Sequence, residues 1–203
     1  INLGCPFPMI AGKHKGAGML LYPAQVAEVL APIAEYPEIQ FSLKMRLGWE
    51  NASECMVLVE LLNALRLSRI ALHARTGKQQ YKGHPDLEAF QGFYELCQHP
   101  LYYNGDIESL SDIRQILTRF PLLKGVFIGR GLLSSPLLAK EFKGNETFLP
   151  EQRMSIYFAF HEELFSAYSQ VLQGETQLLV KMKTLWEYFL PETDRKLLKR
   201  IKK

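Results

Sequence analysis

Residues 1–21, INLGCPFPMIAGKHKGAGMLL, decide how the rest of the chain is read. An apolar strand end, Ile1 and Leu3, runs into Gly4-Cys5-Pro6. A loop with Lys13 and Lys15 follows, and Gly16-Ala17-Gly18 opens onto an apolar helical stretch. Glycine before the thiol lets the backbone turn sharply, and proline after it ends the strand. Cys5 is therefore read as a thiol on a stiff turn at the carboxyl end of a buried strand, where α/β folds bind ligands. A small buried core cysteine is the alternative for the same residue.

Outward from this stretch the unit repeats. Pro23 to Tyr36 reads as a helix with Val26, Val29, Leu30 and Ile33 on one face, and Pro32 is expected to kink or end it. Residues 39–45 read as a strand ending at Arg46-Leu47-Gly48, followed by a helix to about Leu67 capped by Asn51 or Ser53. A strand over 69–74, a polar loop from Arg75 to Pro85 and a helix from Asp86 to Gln98 come next. A strand over 100–103 ends at Asn104-Gly105-Asp106, and Ser109 or Ser111 caps the helix after it. A last strand, 125–128, ends at Gly129-Arg130-Gly131, before a short helix over 135–142. Alternating strand and helix predicts parallel strands with crossover helices. Polar residues at consecutive strand ends favour the barrel arrangement, with a doubly wound open sheet as the alternative.

After residue 145 the chain reads as helical. A helix from Glu151 to Leu172 is broken by Gly174. A second runs from Thr176 to Leu190 with Leu179, Lys183, Trp186 and Leu190 on one stripe, and a short basic helix covers 194–203. The aromatic residues here (Tyr157, Phe158, Phe160, Phe165, Tyr168, Trp186, Tyr188, Phe189) are read as bundle core rather than as base-stacking platforms. The expected domains are 1–145 and 146–203.

The 203 residues, 47% hydrophobic and 22% charged, have the composition of an ordinary globular chain, and the net charge of +3 permits a polyanionic partner without requiring one. The last nine residues hold six basic side chains and no acidic one, read as a solvated helix face or as a nucleic-acid contact. Three widely spaced cysteines, Cys5, Cys55 and Cys97, suit a reducing, cytoplasmic setting rather than a disulfide scaffold. No Cys/His cluster points to a metal, and no apolar run reaches the ~18 residues of a membrane span.

The chemistry-bearing positions lie at the strand ends. Asn104-Gly105-Asp106 and Gly129-Arg130-Gly131, after the last two strands, suit a phosphate through free backbone N–H groups and the Arg130 charge; two tight turns are the alternative. Lys44 projects either toward an electron-rich ring such as a flavin or to solvent. His73 donates to a cofactor or is a satisfied core histidine. Arg75, Gln80 and Tyr81 suit a planar substrate. Lys13 and Lys15, with Arg46, Arg75 and Arg130, would make the mouth basic, which suits a substrate carrying phosphates.

Five motifs in order, NLGCP (2–6), KMRLG (44–48), HART (73–76) followed by Gln79-Gln80-Tyr81, NGDI (104–107) and GRG (129–131), closely resemble the tRNA-dihydrouridine synthases. The resemblance implies an FMN-binding (β/α)8 TIM-type barrel followed by a small all-helical domain, the two gripping tRNA. It also implies reduction by NADPH, hydride transfer to C6 of an extruded uracil and protonation of C5 by a cysteine. Carried over by position, Cys5 is the proton donor, and Asn2, Lys44 and His73 lie at the flavin. Arg75 and Tyr81 face the uracil, and Asn104, Gly105, Asp106, Gly129 and Arg130 hold the FMN phosphate; Lys13 and Lys15 are expected at the substrate. A monomer without metal or membrane contact is expected. The family often has lysine shortly after GCP where this chain has Phe7-Pro8-Met9.

In the family the GCP motif follows the fourth strand, so the chain reads as about the last five strand–helix units plus the tail. An open parallel sheet exposes its edges, and the segment alone is expected to fold poorly or hold FMN weakly. Two other readings stay open: a tRNA-binding homologue without turnover, and another FMN barrel reductase acting on a small molecule.

Overall fold

The computed structural model describes residues 1–191 and 194–201. Five strands form one parallel sheet in sequence order: β1 (Asn2–Leu3), β2 (Phe41–Gly48), β3 (Leu67–Thr76), β4 (Leu101–Asn104) and β5 (Gly125–Phe127). Helical segments separate them: α1 (Pro8–Ala11), α2 (Pro23–Leu30), α3 (Glu54–Val57), α4 (Val59–Asn63), α5 (Leu87–Leu96) and α6 (Leu110–Arg119). Then come α7 (Arg130–Ser134), α8 (Leu138–Gly144), α9 (Pro150–Val171), α10 (Glu175–Leu185) and α11 (Arg195–Ile201). Strand and helix alternate in parallel as in part of a (β/α) barrel, and the carboxyl-terminal region is helical.

A parallel sheet covered on both faces usually reads as continuous apolar strands. These strands alternate instead. Leu43, Met45 and Leu47 of β2, Ile70, Leu72 and Ala74 of β3, and Leu101 and Tyr103 of β4 make one buried apolar set. Phe90 of α5 meets Tyr103 and Phe120 edge-on, with ring centroids 5.0 Å apart in each pair. Each such side chain, fully buried, stabilises by about 1.5–3 kcal/mol. The alternate positions carry Lys44 and Arg46, His73 and Arg75, and Asn104, and the register aligns them: Asn2 pairs with Lys44, and Arg46 pairs with His73, which pairs with Asn104. Half of the sheet's side chains thus build the core, and the other half form a polar face at the strand ends.

Several elements differ from the sequence reading. Pro32 ends α2 as expected, but into a 3-10 turn over Ala31–Glu35, and Val29 is exposed rather than on the buried face. The helix expected up to Leu67 is two short pieces, α3 and α4, without an Asn51 or Ser53 side-chain cap. Glu54 does that work, its carboxylate accepting from the backbone N–H groups of Trp49, Glu50 and Asn51 at 2.7–3.1 Å. Strand β3 runs longer than expected, through Arg75 to Thr76. Ser109 is the cap of α6, accepting from Asp112 N–H while the Asp112 carboxylate accepts from Ser109 N–H.

The chain divides into two compact units, residues 1–106 with 113–127, and 107–112 with 128 onward. The second has its own core: Leu137, Tyr157, Met182, Leu185 and Phe189, with Phe160, Tyr168 and Trp186 packed against it. Its stripe on α10 is Leu178, Met182 and Leu185, continued by Phe189, not the expected Leu179 and Lys183; Leu179 is exposed. Helix α10 stops at Leu185, and residues 186–190 form turns. Phe158 and Phe165 are exposed, while most of the other aromatics are core. Of the expected basic helix, α11 is described and Lys202 and Lys203 lie outside the described residues.

Candidate functional site

Within the first unit, the polar face converges on the turn after β1. Gly4 N–H donates to Asn2 Oδ1 at 2.9 Å, so the Asn2 carboxamide shapes the turn ahead of Cys5. Cys5 is half-buried, and its carbonyl accepts from Ala17 N–H at 3.0 Å. Gly16 makes that approach possible. Its φ is +56°, and a Cβ there would lie 2.7 Å from the Cys5 oxygen and 2.9 Å from the Cys5 Cβ. Lys13 and Lys15 are exposed on the loop between α1 and the 3-10 turn over Gly16–Leu21, beside His14, whose ring stacks on Tyr22 with centroids 4.1 Å apart.

Arg46 was not singled out from sequence beyond its charge, yet it links the most pieces of the site. It is only 1% exposed. Its Nε donates to Gly4 O at 3.1 Å, and its Nη1 donates to Thr76 O and Gln80 O, each at 2.8 Å. Its guanidinium lies 5.6 Å from the centre of the Tyr81 ring, a cation–π distance. Tyr81 itself is 58% exposed, with its ring centroid 6.3 Å from that of His73. The position of Arg46 two residues beyond Lys44 was the signal available: on a strand the two share a face.

Arg75 and Asp106, read from sequence as facing substrate and phosphate, bind each other. The Arg75 Nη1 and Nη2 atoms donate to Asp106 Oδ1 and Oδ2 at 2.6 and 2.5 Å, and Nη2 also donates to Gly83 O. Gly105, at φ +152°, and Asp106, at φ +36°, reverse the chain after β4 so that the carboxylate reaches back. The hydrogen bond to Asp106 raises the Arg75 pKa. Asn104 is tied as well, its Nδ2 donating to Phe127 O at 2.8 Å.

Charge on this face is unbalanced. The charges acting on His73 are Arg46, Lys44 and Arg75 against Asp106. Burial, then those three cations, push His73 down to about 3, so its ring is neutral near pH 7. Arg75 Nη1 lies 3.5 Å from His73 Nε2, and because arginine only donates, a hydrogen bond there has that nitrogen as the acceptor. Burial and the neighbouring Arg46 lower Lys44, and burial lowers Arg46. Desolvated cations in excess suit an anionic or electron-rich group, and this donor set fits the pyrimidine edge of a flavin. The other two thiols lack such a setting: burial pushes Cys55 up to about 12 and also raises Cys97. Gly129 and Arg130 belong to the second unit, at the start of α7, where Gly129 is exposed and Arg130 half-buried.

Residues 1–201 match the family model described as dihydrouridine synthase (Dus). The chain belongs to the dihydrouridine synthase family. Among curated relatives, it is 32% identical over 137 residues to a probable tRNA-dihydrouridine synthase of Rhizobium leguminosarum bv. phaseoli, covering 67% of this chain and 43% of that protein. It is 35% identical over 147 residues to a probable tRNA-dihydrouridine synthase of Aquifex aeolicus, covering 70% and 46%. With tRNA-dihydrouridine synthase B of Vibrio vulnificus it shares 27% over 155 residues, covering 74% and 48%. The chain therefore spans about half the length of the curated relatives it matches. Among the described residues no group of three or more His, Cys, Asp or Glu could hold a metal ion, and no helix is long and apolar enough to cross a membrane.

Proposed function

We propose that this chain carries the strand-end chemistry of a cytoplasmic tRNA-dihydrouridine synthase, saturating the C5–C6 bond of a uridine in tRNA. The observation that supports it most is the thiol turn of Cys5 bound by Arg46 to a cation-rich sheet face, in a chain of the dihydrouridine synthase family. The chemistry FMN would supply when bound and reduced by NADPH is a hydride for C6. Lys44, the neutral His73 and Asn2 are the residues that would hold its ring. The phosphate role expected of Gly105, Gly129 and Arg130 rests on chain order. Asp106 contributes through backbone alone, because its carboxylate is engaged by Arg75.

Cys5 delivers the proton. Its Sγ–H bond breaks as the new C–H bond forms at C5, and water returns a proton to the thiolate. Overall one hydride and one proton are added across the double bond. Tyr81, exposed and backed by the Arg46 guanidinium, offers a ring face to a uracil taken out of the stack. Arg75 acts behind it, holding the loop through Gly83. Lys13 and Lys15 meet the RNA backbone, and residues 146–203 form the helical tRNA-binding domain.

The test is product formation by the full-length protein from unmodified tRNA and NADPH, read by nucleoside mass spectrometry. Dihydrouridine at the expense of uridine, with tRNA affinity falling steeply as salt rises, is the expected result. A salt-insensitive reduction of a free small molecule in its place would point to the other flavin-dependent class, and tRNA binding without product would point to a homologue that only binds.

A further inference from the structure

We propose that Arg46 is a positioning residue for this reaction, a single guanidinium that locks the turn carrying the proton donor Cys5 to the loop carrying the substrate-facing ring of Tyr81. The inference rests on the reading above for what the two side chains do, but its geometry stands apart from that reading.

Among the described residues, Arg46 meets no carboxylate in its hydrogen bonds. Its three acceptors are backbone carbonyls from two separate stretches: Gly4, immediately before Cys5, and Thr76 and Gln80, on either side of the turn that leads to Tyr81. Arg75 next to it behaves differently, since Asp106 takes both of its terminal nitrogens. A buried cation whose hydrogen bonds all go to neutral carbonyls is a poor way to gain stability, because desolvation is repaid incompletely. It is a good way to fix two loops relative to each other, because the donors of a guanidinium point in set directions.

The acceptor side is built to match. Gln80 sits at φ +51°, a left-handed conformation that a non-glycine residue holds only when its surroundings over-determine it. That twist goes with a carbonyl aimed at Nη1 and a Tyr81 ring lying beside the same guanidinium. Lysine cannot replace this arrangement, because one ammonium cannot serve the Gly4 carbonyl and the two loop carbonyls from separate nitrogens.

The experiment compares Arg46→Lys and Arg46→Met with the parent in the full-length protein, using three readouts. Amide exchange of residues 77–84 should accelerate by about tenfold or more in both variants, with β2–β4 and α9 still protected. The rate of iodoacetamide alkylation of Cys5, read on its own peptide, should change severalfold. The kcat for dihydrouridine formation should fall by about 10–100-fold while tRNA affinity holds, as misplacement of a reacting group by an ångström can cost.

Lysine retains the charge, so failure of Arg46→Lys separates placement from electrostatics. Unchanged exchange and alkylation in both folded variants would overturn the proposal. So would loss of protection across β2–β4 in both, which would make Arg46 a plain structural residue. A parent that makes no dihydrouridine would sink the functional reading, while exchange and alkylation would still judge the clamp.

Discussion

The two compact units treat buried charge differently. In the second, the buried carboxylate of Glu141 is answered directly by Arg153, Ser135 and Tyr157 bond each other through their hydroxyls at 2.8 Å, and the rest of the core is apolar and aromatic. In the first, Lys44, Arg46 and Arg75 crowd a face where the carboxylate acting on His73 is Asp106, already committed to Arg75. A core that serves stability alone closes its charges locally. A face that leaves cations desolvated and under-compensated is organised for something it binds, and strong pKa displacement in a cluster is a mark of such faces.

The contrast can be broken at its stable end first. Phe189 is buried against Tyr157, with ring centroids 5.7 Å apart, and against Trp186, at 5.3 Å. Phe189→Ala should cost about 3–5 kcal/mol by chemical denaturation, read on the second unit. Leu179→Ala, on the exposed side of α10, should stay within about 0.5 kcal/mol. Equal effects would mean that the helical unit packs on the stripe read from sequence.

The ion pair comes next. Asp106→Asn leaves Arg75, 1% exposed, without its carboxylate. The loss should be on the order of 2 kcal/mol, below that of a fully buried pair because the Asp106 side chain is 29% exposed. Faster amide exchange over residues 82–84 should accompany it, since Arg75 also holds Lys82 O and Gly83 O. A neutral substitution would show that the pair adds nothing to the strand-end loops.

The last effect is a slope with pH rather than a loss at one pH. His73 is held neutral down to about 3, whereas an unfolded histidine takes a proton near 6.5. Below pH 6.5 the unfolded chain therefore binds one more proton at this position, so stability falls as pH falls across that window, by up to about 1.4 kcal/mol per unit. His73→Gln should remove that part of the slope between pH 6.5 and 4 and leave the slope above pH 7 unchanged. An identical slope in both proteins would mean that His73 titrates normally in the folded state.

Much of this was readable in the sequence, for definite reasons. Strand ends announced themselves because glycine, proline and polar residues interrupt apolar runs at Gly4-Cys5-Pro6, Gly48 and Asn104-Gly105. The parallel sheet followed from the repeat, while its sequential order, which suits the barrel rather than the doubly wound alternative, came from the structure. The helix before β3 did not, because Glu54, a residue with no special turn preference, closes the loop through three backbone bonds. Of the stripe read on α10, Trp186 and Leu190 pack against the core, but Leu179 is exposed and the buried positions are Met182, Leu185 and Phe189. The Arg75–Asp106 pairing was out of reach, since 31 residues separate the two and a left-handed Asp106 brings them together. Arg46 was within reach through its strand spacing from Lys44, but three carbonyl partners leave no residue-type signature.

The proposed chemistry turns most directly on one thiol. Full-length parent and Cys5→Ala proteins, both shown to bind tRNA, would be given unmodified tRNA and NADPH, and dihydrouridine counted by mass spectrometry over time. A general acid contributes about 10²–10⁴-fold, so the alanine variant should lose at least a hundredfold in rate with tRNA affinity unchanged. Equal rates from the two proteins would contradict the account, because the proton would then reach the uracil by a route that does not pass through Cys5.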